Sequence, residues 1–146
     1  NLDPYCWQAY YSIGYLYEIL EDIENAISNL SKIIGLLLPA REKIHVLTRL
    51  IFYYLIKEND DNVKKYIDKI NNNILDFSQY KDELYLYYYL AGVFESNYSQ
   101  EKAIDYFQKA YDLIPNEENY ETLQIQKSDK ASYKLSFGTY NVERGI

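Results

Sequence analysis

Residues Leu84 to Glu117 read LYLYYYLAGVFESNYSQEKAIDYFQKAYDLIPNE. In the first half of this stretch Tyr87, Leu90, Ala91 and Phe94 recur at intervals of three and four, the spacing of one face of an α-helix. Ala103 and Phe107 begin a second such face, and Pro115 closes it. The small side chains of Ala91 and Ala103 let two backbones approach, while Tyr87, Leu90, Phe94 and Phe107 fill the space around that approach. The pattern predicts a helical hairpin.

The same order of residues occurs twice upstream. From Trp7 the positions hold Tyr10, Ile13, Gly14 and Tyr17, then Ala26, Leu30 and Ile33, with Pro39 one position late and Leu38 in its place. From Ile44 they hold Leu47, Leu50, Ile51, Tyr54, Val63, Ile67 and Ile70. There Ile51 and Val63 replace the two small residues, so a splayed middle hairpin is expected. The starts lie three and six residues further apart than a 34-residue unit, and connections at Ala40–Lys43 and Phe77–Glu83 are expected to absorb the difference. Where each second helix should begin, its orphan N–H groups need an acceptor. Those positions hold Asp22, Asn59 and Ser99, all favoured N-caps.

Nothing alternates with period two, and Gly and Pro are too few for many short strands. The expected fold class is therefore all-α, with repeats at about 7–40, 44–77 and 84–117 and a partial fourth at about 127–146, in a single domain.

Pattern and residues together resemble those of the tetratricopeptide repeat proteins, whose motif runs W-x2-L-G-x2-Y, then A-x3-F, then P. The resemblance covers about three quarters of the chain. It implies a right-handed α-α superhelix that binds peptides or protein partners and performs no chemistry. It also implies a concave groove lined by slots 2, 5, 9 and 12 of the first helices. Here those slots are Gln8, Tyr11, Tyr15 and Glu18, then His45, Thr48, Phe52 and Leu55, then Tyr85, Tyr88, Gly92 and Glu95. The chaperone-binding subtype places Lys at slot 5 and Asn at slot 9, where this chain has Tyr11 and Tyr15. The bias towards Asn, Lys, Ile and Tyr looks like that of an AT-rich genome, as in low-GC Gram-positive bacteria, and the divergent, irregularly spaced repeats are similar in style to the C-terminal peptide sensors of regulators there, which carry an N-terminal helix-turn-helix.

Charge and composition narrow the partners. A net charge of −7 and a pI near 4.7 argue against direct nucleic-acid binding, which requires clustered Lys and Arg. The longest apolar run, Ile33–Pro39, is far below the ~20 residues of a membrane span. The single Cys6 cannot form an internal disulfide, in keeping with a cytoplasmic setting. With no methionine in the chain, Asn1 reads as the start of a fragment. A peptide or protein segment is the expected partner, Glu18 and Glu95 favouring one with positive charge. The alternative is that the repeats dimerise with a second copy of the chain or serve as a structural scaffold for a neighbouring domain of a larger protein.

Catalytic groups are sparse. His45 is the sole histidine, so no two-histidine metal site exists and any triad would have to use it. Cys6 lacks a nucleophile's context. The carboxylates of Glu21-Asp22-Ile23-Glu24 and Glu58-Asn59-Asp60-Asp61 sit at expected interhelical turns, where acids cap helices and face water, and neither cluster fits a calcium loop. No enzyme activity, cofactor or metal is expected.

Overall fold

The computed structural model describes residues 6–128. They form seven α-helices: α1 (Trp7–Ile19), α2 (Ile23–Ile33), α3 (Ala40–Ile56), α4 (Asp60–Asn71), α5 (Lys81–Glu95), α6 (Gln100–Leu113) and α7 (Glu117–Lys127). A short 3-10 helix at Ile74–Phe77 precedes α5, and no strand occurs among the described residues. The fold is all-α, a series of helical hairpins of the expected repeat kind. The chain divides into two compact units, Asn1–Asn72 and Asn73–Ile146. The first holds the hairpins α1–α2 and α3–α4, and the second holds α5–α6 with α7 against α6. Residues 129–146, which carry nearly all of the expected fourth repeat, lie outside the described ones.

The three capping positions act as their chemistry demands. Asp22, Asn59 and Ser99 accept the backbone N–H groups of Asn25, Asn62 and Lys102, each at 3.2 Å. Asn116 does the same for Asn119 at the start of α7, at 2.8 Å. Each bond satisfies one N–H that the first turn of a helix leaves without an intrahelical partner.

The first two hairpins turn by one device. In the first, the Asp22 N–H donates to the Tyr17 carbonyl at 2.8 Å and the Glu21 N–H to the Glu18 carbonyl at 2.9 Å. Glu21 is left-handed there, with φ of 60°. The second hairpin repeats this with Asn59 to Tyr54, Glu58 to Leu55, and Glu58 at φ 55°. These are Schellman closures with glutamate in the position where glycine is usual, so Asp22 and Asn59 each end one helix and begin the next. The third hairpin closes differently. Its turn, Ser96 to Ser99, has no left-handed residue, and the Ser99 N–H donates to the Glu95 carbonyl at 2.7 Å.

That difference shifts α5 by one position against its partner. In the first hairpin a Cβ added at Gly14 would stand 2.6 Å from Leu30 Cδ2, and Lys32 lies over the Tyr10 ring at 5.3 Å. In the third hairpin the matching contacts belong to Gly92, whose added Cβ would stand 2.7 Å from the Phe107 ring, and to Tyr88, with Lys109 at 5.8 Å. Counting back from the caps, the repeat pattern predicts Ala91 and Tyr87 for these places. Ala91 is fully buried, but the residue whose Cβ would meet the Phe107 ring is Gly92.

Two further expectations change. Ala40–Lys43 and Lys81–Glu83 do not form connections; they extend α3 and α5 by about one turn, so the extra residues lengthen first helices. Leu38 is buried and Pro39 is the exposed N-cap of α3. Ile13, expected in the core, is 42% exposed, because among the described residues no helix packs on that side of α1.

Candidate functional site

Four of the expected groove residues of the first unit, Tyr11, Tyr15, Glu18 and His45, form a connected cluster organised by a residue that the repeat pattern did not single out. Arg49 sits in an apolar stretch of α3 whose residues from Ile44 to Tyr53 are all buried. A guanidinium with 1% exposure cannot remain uncompensated. Its Nη1 donates to both oxygens of Glu18, at 3.0 and 3.1 Å, and its Nε donates to His45 Nε2 at 2.7 Å. The Tyr53 hydroxyl donates to Glu18 Oε1 at 2.5 Å. The Arg49 plane lies over the Tyr15 ring at 4.5 Å, a cation–π contact.

His45 accepts through Nε2, so the imidazole is neutral on that nitrogen. Its ring meets Tyr11 at 5.5 Å, and Tyr11 meets Trp7 edge-on at 6.1 Å. Thr48 turns inward and donates to the Ile44 carbonyl at 2.7 Å. Phe52 is fully buried and packs against Tyr53 at 5.8 Å. Of the expected groove residues in this unit, Tyr11 and Tyr15 are half-buried and Gln8 is exposed, whereas Glu18, His45, Thr48 and Phe52 are buried. The Glu18 charge is cancelled by Arg49, which corrects the expectation that it draws a cationic ligand.

In the second unit Tyr85 is buried and donates to Asn119 Oδ1 on α7 at 2.9 Å. Tyr88 is half-buried against Tyr106 at 6.3 Å, on the α6 side of its helix. Glu95 is half-buried, and its carbonyl receives the turn's N–H groups. With the one-residue shift of α5, the positions matching Gln8, Tyr11, Tyr15 and Glu18 are Leu86, Tyr89, Val93 and Ser96. Tyr85, Tyr88 and Glu95 instead match Trp7, Tyr10 and Tyr17.

Burial pushes the Tyr88 phenol above its ordinary pKa, while the Lys109 charge pulls it part of the way back. In the first unit burial, and then the neighbouring Tyr54, push the Tyr66 phenol up. Tyr54 and Tyr66 stack at 5.9 Å.

Chemically, the Glu18 carboxylate is satisfied within the cluster, by Arg49 and Tyr53. Arg49 and Tyr53 are the functional-looking residues that slot counting missed. The cue was an arginine inside the apolar run His45–Tyr54, which demands a buried acid nearby. Among the described residues no group of three His, Cys, Asp or Glu side chains could hold a metal, and no helix is long and apolar enough to cross a membrane.

A family model of the tetratricopeptide repeat matches residues 8–36, which span the hairpin α1–α2 and the start of the following connection. No curated protein and no solved structure matches the chain. Repeats of this kind mediate protein–protein interaction, and the matched hairpin is the one that carries Tyr11, Tyr15 and Glu18.

Proposed function

We propose that the chain is a non-catalytic, cytoplasmic module that holds a peptide or protein segment on the aromatic face of its first hairpin. The observation that carries this reading is the row Trp7, Tyr11 and Tyr15. All three rings are half-buried, and Tyr11 and Tyr15 are backed by the buried His45 and Arg49. Rings already held from behind lose little freedom when a partner covers their open edges, which is what makes tyrosine and tryptophan effective at recognition surfaces. Gln8, exposed one turn from Tyr11 and two from Tyr15, supplies an amide for a peptide backbone. The net charge of −7 steers cationic segments towards the domain over longer range. The wider setting that fits this module is the sensor part of a bacterial transcription regulator, in which the bound peptide rather than DNA contacts these residues.

The test is binding of fluorescein-labelled short cationic peptides containing apolar residues, followed by anisotropy. Tyr11→Ala with Tyr15→Ala should weaken binding at least ~10-fold, as removal of aromatic anchors does, with helicity retained by circular dichroism. Equal affinity in the native and doubly substituted chains would remove this face from the reading.

A further inference from the structure

The buried cluster holds a group whose charged form its own geometry opposes. Histidine is the side chain whose ordinary pKa, about 6.5, puts its charge change near neutral pH, and His45 is the sole histidine. It is 8% exposed, and its Nε2 accepts the Arg49 Nε–H at 2.7 Å. A neutral ring that accepts at Nε2 carries its proton on Nδ1. The lone pair left for a second proton is thus the one that Arg49 occupies.

Protonation at Nε2 turns that acceptor into a donor and sets an imidazolium directly against a guanidinium. The bond is lost, and two like charges so close together repel in a buried place. Glu18 of α1 acts in the opposite sense, but its carboxylate is already committed to Arg49 Nη1 and to the Tyr53 hydroxyl. The other groups of α1 on this side are the uncharged rings of Tyr11 and, across Arg49, Tyr15. One turn earlier on α3, Arg41 and Glu42 are opposite in sign and offset each other. Lys32 of α2 lies over Tyr10, on the α2 side of α1, and Lys69 holds the same place in α4 when the repeats are aligned on Asp22 and Asn59. Burial and Arg49 therefore decide the sign, and the folded chain holds His45 neutral.

The proton dislodges the backing of the aromatic row. The imidazole stands behind Tyr11 at 5.5 Å and the Arg49 plane behind Tyr15 at 4.5 Å, and Tyr11 in turn meets Trp7. Whichever of His45 and Arg49 moves away from the other, a ring of the row loses its support.

We propose that His45 is a proton switch beneath this row: neutral, it keeps Tyr11 and Tyr15 seated, and its protonation in mildly acidic solution releases them. Acid then lowers the affinity for a bound segment, a consequence that rests on the reading of the row as the binding face.

The chain carries its own reporters, one histidine and one tryptophan. Proton NMR of the His45 ring and emission of Trp7 are followed from about pH 8 to about pH 5, around the ordinary histidine value. The imidazole should titrate with a midpoint below about 6.5, and Trp7 emission should change with the same midpoint. In His45→Gln, whose amide oxygen still offers Arg49 an acceptor, the emission should stay constant over that range. A midpoint at or above about 6.5 overturns the proposal, as does emission that ignores the titration or that shifts equally in His45→Gln. The first two readings use the native chain, so they decide the matter even where the variant does not fold. Anisotropy of the cationic peptides, with a pH-insensitive rhodamine label, adds the ligand. Their Kd should rise roughly tenfold per pH unit below the His45 midpoint, and in His45→Gln that rise should vanish; a Kd that does not change through the titration overturns the proposal. A chain that binds none of these peptides at any pH sinks the reading of the row instead, while the two spectra still test the switch.

Discussion

Replacing Arg49 by methionine isolates the main electrostatic commitment of the first unit. In the native chain Glu18 is 5% exposed and its carboxylate is held by Arg49 at 3.0 and 3.1 Å and by Tyr53 at 2.5 Å. Arg49→Met removes the positive charge bonded to that carboxylate and keeps most of the side-chain volume. Breaking a buried pair from one side costs about 3–5 kcal/mol, because the remaining charge stays desolvated. Against a total stability of roughly 5–15 kcal/mol, the unit should lose much of its margin. At about 2–4 °C per kcal/mol for a chain near this size, the melting midpoint should fall by roughly 6–20 °C. Urea unfolding followed by circular dichroism gives the free energy itself.

The same geometry predicts recovery. Glu18→Leu with Arg49→Met takes away the Tyr53 hydroxyl's bond to Glu18 and the His45 Nε2 bond to Arg49, at about 1–3 kcal/mol each, and adding Tyr53→Phe and His45→Leu removes both groups. The quadruple variant should return to within about 2 kcal/mol of the native chain, because well-packed apolar replacements of a buried ion pair are often neutral. Either of two results refutes the reasoning: Arg49→Met costing less than ~1 kcal/mol, or the Glu18 and Arg49 single costs adding without coupling.

Gly92→Val places a branched side chain where a single Cβ already stands 2.7 Å from the buried Phe107 ring; overpacking should cost about 1–3 kcal/mol in urea unfolding. Glu58→Gly should stabilise by up to ~1 kcal/mol, since a left-handed φ of 55° costs an L-residue roughly 1–2 kcal/mol and the flexibility of glycine returns part of the gain. Tyr66 and Tyr88 keep their protons in the folded chain above the ordinary tyrosine value of 10.0. Their contribution is therefore complete below pH 10 and is lost as pH rises through their higher folded values. The melting midpoint should fall on that alkaline side, and fall less in a Tyr66→Phe, Tyr88→Phe variant.

The helices and their starts were legible because they depend on local chemistry. A three-and-four spacing of apolar residues and an oxygen-bearing side chain before each second helix are visible in any window of the chain. Asp22, Asn59 and Ser99 needed nothing distant to be recognised. The ion pair was not legible by slot counting, because it joins Glu18 to Arg49 across 31 residues and the repeat pattern assigns no charge to either place. An arginine among Leu47, Leu50, Ile51 and Phe52 did announce that some acid must be near, without naming it. The shift of α5 was hidden for another reason. Apolar residues fill nearly all of Leu84–Phe94, so its periodicity points in no single direction, and only the conformation of the turn decides which side meets α6.

That turn shows how a solenoid surface can change with every helix residue left intact. A helix advances about 100° per residue, so one added residue in a connection swings a whole row of side chains to a new azimuth. Deleting one residue between Ser96 and Ser99 would bring Ala91 in place of Gly92 towards Phe107 and swing Tyr88 out of its seat. Insertions and deletions in the connections thus act as a dial on which residues a repeat displays. A comparison of such chains keyed to conserved columns alone will misread the faces on either side of each length change.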